Sequence, residues 1–482
     1  MKISVSVTAN LNRVKKSVDA FDLKTCEYVK SGKKICIVYL DSVTDKTAIA
    51  DFALTPIKKY VDSITFSSVL NALSSADVVI REDMRRAFDD LLDGKAVIFV
   101  QGSAKAICFN AKQVIARSVE EPPTSSVIKG PRAGFNENLM TNVGQIRQRI
   151  KNENLTLDFL TIGKYSATSV CVVSIKGITP EELVKKAKDR ISEINTDAIL
   201  DSSYVARFLT KRKTSLFKQY GTTEKSDVLC SKLLEGRIAV LVDGSPIAIT
   251  LPYVMLEDFQ SPADYYANNY RAILSRSLRI LSVILAVTLP AVFVAAEMFH
   301  IQLLPLKFLL TIISSIRGIP LSPSFEMFLT LVIFEVLDEA SVRMPRHVGM
   351  VISIVGGLVL GETAVNAGII SAPTLMIVAL SGICLYTAPE LEETFSVLRF
   401  VYLIVAGALG GYAMIVLSVG IVLYAVDFEN FGTPVLAPYA PLIKQDLKDG
   451  IFKRFNEEMV NRPVFLKSKN RTRTVIKKEK EK

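Results

Sequence analysis

DLLDGKAVIFVQGSAKAICF at residues 90–109 and KLLEGRIAVLVDGSPIAITL at residues 232–251 are two copies of one pattern. Each copy has Leu-Leu-acidic-Gly, an apolar run, a Gly-Ser pair and a second apolar run, which predicts helix, strand, tight turn and strand. A second pair of stretches, KICIVYLDSVTD from Lys34 and SVCVVSIKGITP from Ser169, keeps the same order and nearly the same spacing. We therefore predict two related α/β subdomains, at about residues 25–125 and 155–265.

The composition divides the chain into a soluble part and a membrane part. Its 482 residues are too many for one ordinary core. Charged residues are frequent through about residue 277, whereas long apolar runs dominate from there to Val426. The contrast predicts an α/β cytoplasmic region of two related subdomains (1–125 and 156–277, joined by a linker and helix at 126–155), followed by a polytopic α-helical membrane domain (278–426) and a basic cytoplasmic tail (427–482).

The formal net charge of +10 raises the question of an anionic partner. The sequence has no zinc-finger spacing and no RNP-like aromatic cluster, so we expect no nucleic acid. Much of the positive excess lies in the tail, which predicts contact with anionic membrane lipids. The N-terminus, MKISVSVTANLNRVKKSVDAF, lacks a continuous apolar core. We therefore expect no signal peptide and a cytoplasmic soluble half.

The residue inventory gives no sign of catalysis. The two histidines, His300 and His347, both flank apolar segments, which excludes a Ser-His-acid triad or a histidine-rich metal site in the soluble half. The Gly-Ser pairs at Gly102 and Gly244 lie between two strands and predict hairpin turns, not phosphate-binding loops. Six scattered cysteines without a CxxC pair predict reduced, buried thiols. We expect no enzyme activity, no metal and no cofactor.

Residues 129–155, KGPRAGFNENLMTNVGQIRQRIKNENL, lie between the two repeats. The turn formers at the start predict an extended linker, and the following residues have helical spacing with the apolar positions on one side. Two interpretations stay open for the basic and amide side chains on the remaining surface: a solvated helix that joins the subdomains, or a contact with another subunit through Arg132, Asn142, Arg147 and Arg149.

The membrane half predicts between four and six spans. LRILSVILAVTLPAVFVAAEMFH, from Leu278, is long enough to cross a bilayer, and arginines precede it on the cytoplasmic side. The segment from Leu303 is short, and further candidate spans lie near 323–340, 348–363, 367–387 and 399–426. A basic tail on the cytoplasmic side, like the N-terminal half, requires an even number of crossings. If all six segments cross, however, the loop with Arg343 and Arg346 lies outside, where basic residues are disfavoured. We favour six.

Small and polar residues in the membrane half form candidate packing and pore-lining sites. A stripe of small residues at Gly357, Gly361, Ala364 and Gly368 predicts close helix packing, as do Gly407 and Gly411. Glu362 and Asn366 lie one turn apart on an adjoining face. Either they line a pore in a ring of identical subunits, or Glu362 lies at a membrane end and is solvated. Glu335 is the third candidate for a pore lining.

The segment KGPRAGFNENLMTNVGQIRQRIKN resembles the GPR-x-GF and N-x-x-x-IR-x-RIK signature of the A subunit of GerA-type spore germinant receptors. RSVEEPPTSSVIKGP, IVGGLVLGETAVNAGIISAPTLMIVAL and the Leu-Arg-Phe of residues 398–400 are similar to the same family. The likeness covers most of the chain from about residue 90. Lys129 and Ala133 stand where Arg and Glu are usual, and APELEETF replaces a P-x-Y-E-L-S-like stretch.

The resemblance implies a homo-oligomeric subunit in the inner membrane of a bacterial spore. Its implied partners are a transporter-like B subunit and a lipoprotein C subunit, and the complex is expected to respond to small nutrients by releasing ions. Two alternatives stay open: a non-conducting scaffold or paralogue that serves another spore ion-release complex, and a secondary transporter, which would show inverted repeats and broken helices.

Overall fold

The first subdomain contains a five-stranded antiparallel sheet. The computed structural model describes residues 2–18, 21–30, 32–75, 77–113, 130–343, 361–455 and 458–474. The strands are β1 (Leu23–Lys30), β2 (Lys33–Leu40), β3 (Val78–Arg81), β4 (Lys95–Val100) and β5 (Ala106–Asn110). Their order across the sheet is β1-β2-β4-β5-β3.

The second subdomain repeats this sheet. Its strands are β6 (Leu155–Ile162), β7 (Thr168–Ile175), β8 (Gly221–Thr223), β9 (Ile238–Val242) and β10 (Ala248–Leu251). Their order, β6-β7-β9-β10-β8, is the same as in the first sheet, and all neighbours are antiparallel. The prediction of two related α/β subdomains is confirmed, and the Gly-Ser pairs form the turns of the β4–β5 and β9–β10 hairpins, as expected.

Helices cover both faces of each sheet. The helices of the soluble region are α1 (Val7–Ser17), α2 (Lys46–Ile49), α3 (Thr55–Tyr60), α4 (Phe66–Ala72), α5 (Met84–Leu92), α6 (Leu139–Arg149), α7 (Glu181–Ser192), α8 (Ser202–Leu209) and α9 (Ser226–Glu235), with a π turn at Ala50–Leu54. Helices α1 and α5 pack on one face of the first sheet and α2–α4 on the other. Helices α6 and α9 cover one face of the second sheet, and α7 and α8 cover the other.

Helix α6 is the first helix of the second subdomain, not only a connector. Its apolar residues enter the core at the same spacing as those of α1: Leu139, Val143, Ile146 and Ile150 match Val7, Leu11, Val14 and Val18. The predicted apolar side is therefore correct. The segment between the repeats is part of the second repeat.

A buried asparagine fixes the chain before each of these two helices. Asn10 accepts a hydrogen bond from the Ser4 N–H at 2.8 Å and donates to the Ser4 carbonyl at 2.7 Å. Asn142 accepts from the Asn136 N–H at 2.9 Å and donates to its carbonyl. Because each amide satisfies two backbone groups of an irregular segment, both residues have a structural role.

The C-terminal half is helical and apolar on its outer surface. Its helices are α10 (Ala263–Tyr266), α11 (Asn269–Met298), α12 (Leu306–Ile316), α13 (Pro323–Arg343), α14 (Gly361–Asn366), α15 (Ala372–Leu385) and α16 (Glu392–Val426). Among the described residues, two helical segments, Asn269–Met298 and Pro389–Val426, are long and apolar enough to cross a membrane. Exposed apolar side chains such as Leu409, Val416 and Leu423 suit contact with lipid. The architecture agrees with the predicted fold class.

Helix α16 turns back on itself at Gly410. This residue has φ 74° and ψ −168°, which is not helical. The Tyr402 hydroxyl lies 2.8 Å from Ser418 Oγ, whereas residues 16 positions apart in a straight helix are about 24 Å apart. Leu398, Ala406 and Met414 belong to one core cluster. The prediction of a single span over 399–426 is therefore wrong, because 392–409 and 411–426 are two antiparallel arms.

The tail packs against the second subdomain. Its described residues include β11 (Glu429–Asn430), β12 (Thr433–Pro434) and the 3₁₀ turns Asp446–Asp449 and Val464–Leu466. Other described 3₁₀ turns lie at Met255–Phe259, Ile301–Leu303 and Pro389–Leu391. Arg462 Nε donates to the Leu234 carbonyl at 2.7 Å, and Lys469 pairs with Glu181 at 2.6 Å. Lipid contact by the tail stays a prediction, and its last lysines lie outside the described residues.

Candidate functional site

Arg147 forms a buried ion pair between the two subdomains. Its Nε and Nη2 each donate to one carboxylate oxygen of Asp22, both at 2.8 Å, and the two side chains are 1% and 0% exposed. Ser42 Oγ also donates to Asp22, at 2.6 Å. A bidentate pair of this kind fixes orientation as well as distance. It therefore holds the start of β1 against α6.

The expectation that Arg147 and Asn142 belong to an exposed basic surface is wrong. Each is 1% exposed, because its polar groups are used inside the chain. Arg132 and Arg149 are exposed, and Arg149 Nε donates to Ser226 Oγ at 3.0 Å. For these two arginines, a contact with another subunit stays a prediction.

The stripe of small residues does not continue along one helix. Helix α14 ends at Asn366, and Gly368 has φ 68° with its N–H bonded to the Val365 carbonyl at 3.0 Å, so Gly368 closes the helix end. Gly361 lies beside Leu375, Ala364 is half-buried, and Gly357 is outside the described residues. Glu362 and Asn366 are exposed on this short helix. Their place in a pore stays a prediction.

Glu335 is the partner of a buried arginine. Arg399 Nη2 donates to Glu335 Oε2 at 2.7 Å and Arg399 Nη1 to Ser381 Oγ at 3.3 Å, while the Ser396 hydroxyl donates to the other carboxylate oxygen. Arg399 is only 4% exposed. The network ties α13, α15 and the first arm of α16 together and supplies a counter-charge for a buried arginine, which would otherwise be costly. A pore-lining role for Glu335 stays a prediction.

Gly407 and Gly411 lie where neighbouring segments come close. A Cβ at Gly407 would lie 1.9 Å from Ser324 Oγ at the start of α13. At Gly411 it would lie 3.4 Å from His300 Cε1, just beyond the end of α11. The tip of the α16 hairpin therefore lies beside the end of α11 and the beginning of α13.

The second subdomain holds both arms of α16 at their near ends. Lys218 pairs with Glu390, directly before the first arm, and Thr222 Oγ1 donates to the same carboxylate at 3.1 Å. Arg212 pairs with Asp427, directly after the second arm, at 2.8 Å. We call residues 212–222 the docking segment. Because it contacts both arms, a displacement of this segment would move them together.

A junction cluster of buried charges supports the docking segment; it consists of Lys218, Lys232, Arg237, Glu257 and Asp258. Burial would lower the pKa of Lys218, but the carboxylates of Asp258 and Glu390 outweigh burial and raise it. Burial raises the pKa of Asp258, whose carboxylate accepts from the Tyr253 hydroxyl. Burial also opposes ionisation of Glu257, yet Arg237 and Lys232 lower its pKa. Lys218 and Glu257 are therefore charged at neutral pH.

A cavity of about 650 Å³ lies beside the junction cluster. Its walls come from the second subdomain, from Thr387–Glu390 before α16, and from Met459 and Arg473 of the tail. The volume suits a small organic molecule. Among the described residues, no group of three or more His, Cys, Asp or Glu side chains could hold a metal ion.

Sequence reasoning missed Asp22, Lys218 and Glu390. Asp22 and Lys218 belong to no motif or apolar pattern, and Glu390 lies in APELEETF, a stretch that gave no indication of an ion pair. One signal was available for the Asp22 pair, since Arg147 follows Val143 by four positions and precedes Ile150 by three. Arg147 therefore falls at the apolar face of its helix, where a charge needs a partner.

Comparison with known proteins places the chain in a family. The family described as Bacillus/Clostridium GerA spore germination protein matches residues 10–465. The chain belongs to the GerA spore germination protein family. Spore germination protein KA of Bacillus subtilis (strain 168) is 32% identical over 461 residues, covering 94% of this chain and 85% of that protein. The resemblance inferred from the signature segment is confirmed.

Two further relatives of this GerA-family chain differ in how much they cover. The uncharacterized membrane protein YfkQ of Bacillus subtilis (strain 168) is 34% identical over 430 residues, covering 88% of this chain and 84% of that protein. The crystal structure of the N-terminal domain of the A subunit of the Bacillus megaterium spore germinant receptor GerK3 is 23% identical, with a TM-score of 0.40. It covers 52% of this chain and 96% of that chain.

The GerA signature segment lies against the wall of the cavity. Gly130 has φ 124°, and a Cβ there would lie 2.7 Å from Cδ2 of Tyr266, a lining residue. Gly134 pairs with Lys225 in an isolated bridge, and the Phe135 N–H donates to the Glu224 carbonyl at 2.7 Å. The glycine is required at Gly130 because a side chain would collide with the tyrosine ring. The segment thus supports the residues that open helix α9.

Proposed function

We propose that this GerA-family chain is the A subunit of a nutrient germinant receptor in the inner membrane of a bacterial spore. The family match over residues 10–465 carries the proposal. The subunit forms a homo-oligomer, assembles with a transporter-like B subunit and a lipoprotein C subunit, and forms or gates the pathway through which ions leave the spore. The proposal includes no catalytic step.

The contacts between the soluble region and the membrane helices support a gating role. The docking segment pairs with both ends of the α16 hairpin through Glu390 and Asp427. Thr394 Oγ1 also donates to the Leu216 carbonyl at 2.9 Å. In this mechanism, a change in the assembly that shifts the second subdomain moves both arms, and the Glu335–Arg399 pair passes the motion to α13.

A topology of six crossings fits the described contacts. The tip of the α16 hairpin meets Phe299 at the end of α11 and Ser324 at the start of α13. Helices α13 and α15 run side by side, with Glu326 beside Ser371 and Asp338 beside Tyr386. Both therefore return towards the soluble region. With α11, α13, α15 and the two arms of α16 taken as five crossings, a total of six places Arg343 and the tail on the same side and removes the charge conflict.

Labelling of single cysteines tests this topology. In a Cys26→Ser background, whose other described cysteines are buried, Glu393→Cys and Asp427→Cys should react with a membrane-impermeant maleimide from the same, cytoplasmic side. Leu409→Cys should react from the opposite side, because residue 409 lies near the tip of the hairpin and the native leucine is 69% exposed. Sealed vesicles of both orientations give the readout. Reaction of Glu393→Cys and Asp427→Cys from opposite sides would exclude the hairpin.

Ionic current across a planar bilayer tests the ion pathway. The purified chain, alone and with its B-like subunit, should conduct cations in preference to anions. Glu362→Gln should weaken that preference and Glu362→Lys should reverse it, because an acidic ring concentrates cations. Glu339→Gln, which removes an exposed carboxylate paired with Arg343, is the matched control. Current in the complex that is insensitive to all three substitutions would place the pathway elsewhere.

A non-conducting scaffold or a paralogue in another spore complex is the second candidate function. The likeness to YfkQ, whose name gives no role in germination, leaves this candidate open. Spores that lack the gene for this chain distinguish the two functions. Loss of ion release in response to a particular nutrient is expected only if the chain is a receptor subunit. The break in α16 does not favour a secondary transporter, because the chain turns back at the tip and does not form two half-helices around a midplane site.

A further inference from the structure

We propose that the cavity beside the junction cluster binds an anionic phosphate group, held by Lys225 and the N-terminus of α9. The inference rests on the cavity alone and is independent of the receptor role. Lys225, directly before α9, and Asp227 and Val228, the second and third residues of that helix, all line the cavity. Their arrangement provides a cation and a helix N-terminus in the same wall.

Lys225 is a buried cation without a counter-charge. The residue is 1% exposed, and within the described part of the chain its Nζ has no hydrogen-bond partner. Among the described residues, no carboxylate lies within ion-pair distance of this ammonium group, whereas the neighbouring Lys218 and Lys232 both have acidic partners. An unpaired ammonium group is unfavourable in such a place unless an anion joins it. The backbone of Lys225 is fixed by its bridge to Gly134.

Helix α9 presents its N-terminus to the same cavity. The helix has 10 residues, and Lys225 directly before it supplies no side-chain cap. The first backbone N–H groups of a helix have no partner within the helix, and together with the helix dipole they form an anion-binding end. A phosphate group at this end would accept hydrogen bonds from these N–H groups and form an ion pair with the Lys225 ammonium group.

The acidic side chains that line the cavity already have hydrogen-bond or ion-pair partners. Asp227 Oδ2 accepts a hydrogen bond from the Tyr266 hydroxyl at 2.9 Å. Glu257 is held between Arg237 and Lys232, and Glu235 lies 3.5 Å from Arg237. Arg473 adds an exposed cation to the lining. Among the described residues, Lys225 and Arg473 are therefore lining cations without an acidic partner, and Asp227 is a lining carboxylate bonded to a neutral hydroxyl, with Oδ1 lacking a donor.

The position of the cavity allows two sources for the phosphate group. Thr387–Glu390 form one wall directly before the first arm of α16, which is the level of lipid headgroups in the proposed topology. Tyr265, Tyr266 and Met459 add less polar surface. The group is thus the headgroup phosphate of an anionic phospholipid or part of a soluble phosphorylated molecule.

Thermal unfolding of the full chain in nanodiscs tests the proposal. One arm adds glycerol 3-phosphate to discs of phosphatidylcholine, with sodium chloride at the same ionic strength as the reference. The other arm replaces part of the phosphatidylcholine by phosphatidylglycerol. The variant is Lys225→Met, and the matched control is Lys185→Met, which removes an exposed lysine of α7 in the same subdomain.

The wild-type chain and Lys185→Met should unfold at a higher temperature in one of the two arms. Lys225→Met should lose that shift, and its midpoint without phosphate should not fall below that of the wild type, since the substitution removes an unpaired buried charge. A shift only with phosphatidylglycerol assigns the site to lipid, and a shift only with glycerol 3-phosphate assigns it to a soluble molecule. No shift in the wild type, or an equal shift in Lys225→Met, overturns the proposal.

Discussion

Replacing Arg147 by alanine is expected to lower the free energy of unfolding of the soluble region by about 3–5 kcal/mol. The substitution leaves the Asp22 carboxylate, which is 0% exposed, without its cation. Removing one member of a buried pair is costly because the other charge stays desolvated. Ser42 still donates one hydrogen bond to Asp22, which does not replace the two that Arg147 supplies.

Hydrogen exchange of the full chain in detergent provides the measurement. Amides of β1 and of α6 should exchange faster in Arg147→Ala, since the pair joins these two elements. Arg149→Ala is the matched control, because it removes an arginine two positions away whose side chain is exposed and, among the described residues, is hydrogen-bonded to Ser226 alone. The control should cost about 1 kcal/mol or less. Equal exchange in the two variants would show that the buried pair does not hold the subdomains together.

The expected destabilisation by substitutions of Arg147 changes how a role of this arginine in subunit assembly can be tested. A charge reversal at Arg147 would place two acidic groups together in a buried site and disrupt the chain itself. Loss of a complex would then carry no information about subunit contacts. The informative substitutions are at Arg132 and Arg149, whose side chains are exposed.

The repeated sheets could be predicted from the sequence because their signals are local. Short apolar runs and a Gly-Ser pair define a hairpin within about twenty residues, and two copies of that pattern define two subdomains. The reduced, buried cysteines follow from the same reasoning, and five of the six are buried in the structure.

The start of the second repeat could not be predicted, because its first helix, α6, shares with α1 the spacing of the apolar residues but little sequence. Asn10 and Asn142 make equivalent hydrogen bonds, yet nothing in a single sequence marks them as equivalent. The Asp22–Arg147 pair joins residues 125 positions apart. Only the three-dimensional fold brings such residues together, so the sequence suggested a surface where the structure has an interior.

The hairpin in α16 was hidden for a different reason. Turns in soluble regions are marked by polar residues, whereas the sequence around Gly410 is apolar and its glycines resemble a packing motif. The turn is formed where a glycine conformation meets the end of α11, and neither feature is visible in composition. The basic tail requires an even number of crossings, and the position of Arg343 conflicts with the crossings predicted from the apolar segments. This conflict was the one indication in the sequence of a further crossing.

Replacing Gly410 by valine is therefore expected to destabilise the membrane half by about 2–6 kcal/mol. Its φ of 74° and ψ of −168° lie in a region that essentially only glycine occupies, and a Cβ would lie 3.0 Å from Cγ of Phe299. Gly420→Val is the matched control, because Gly420 lies in the second arm of the same helix with nothing within 4 Å of a Cβ. Recovery of monodisperse chain from mild detergent and the midpoint of thermal unfolding should both fall for Gly410→Val and remain near the wild-type values for Gly420→Val. Equal behaviour of the two variants would mean that residues 392–426 do not need a turn at Gly410, and the six-crossing topology would fall with it.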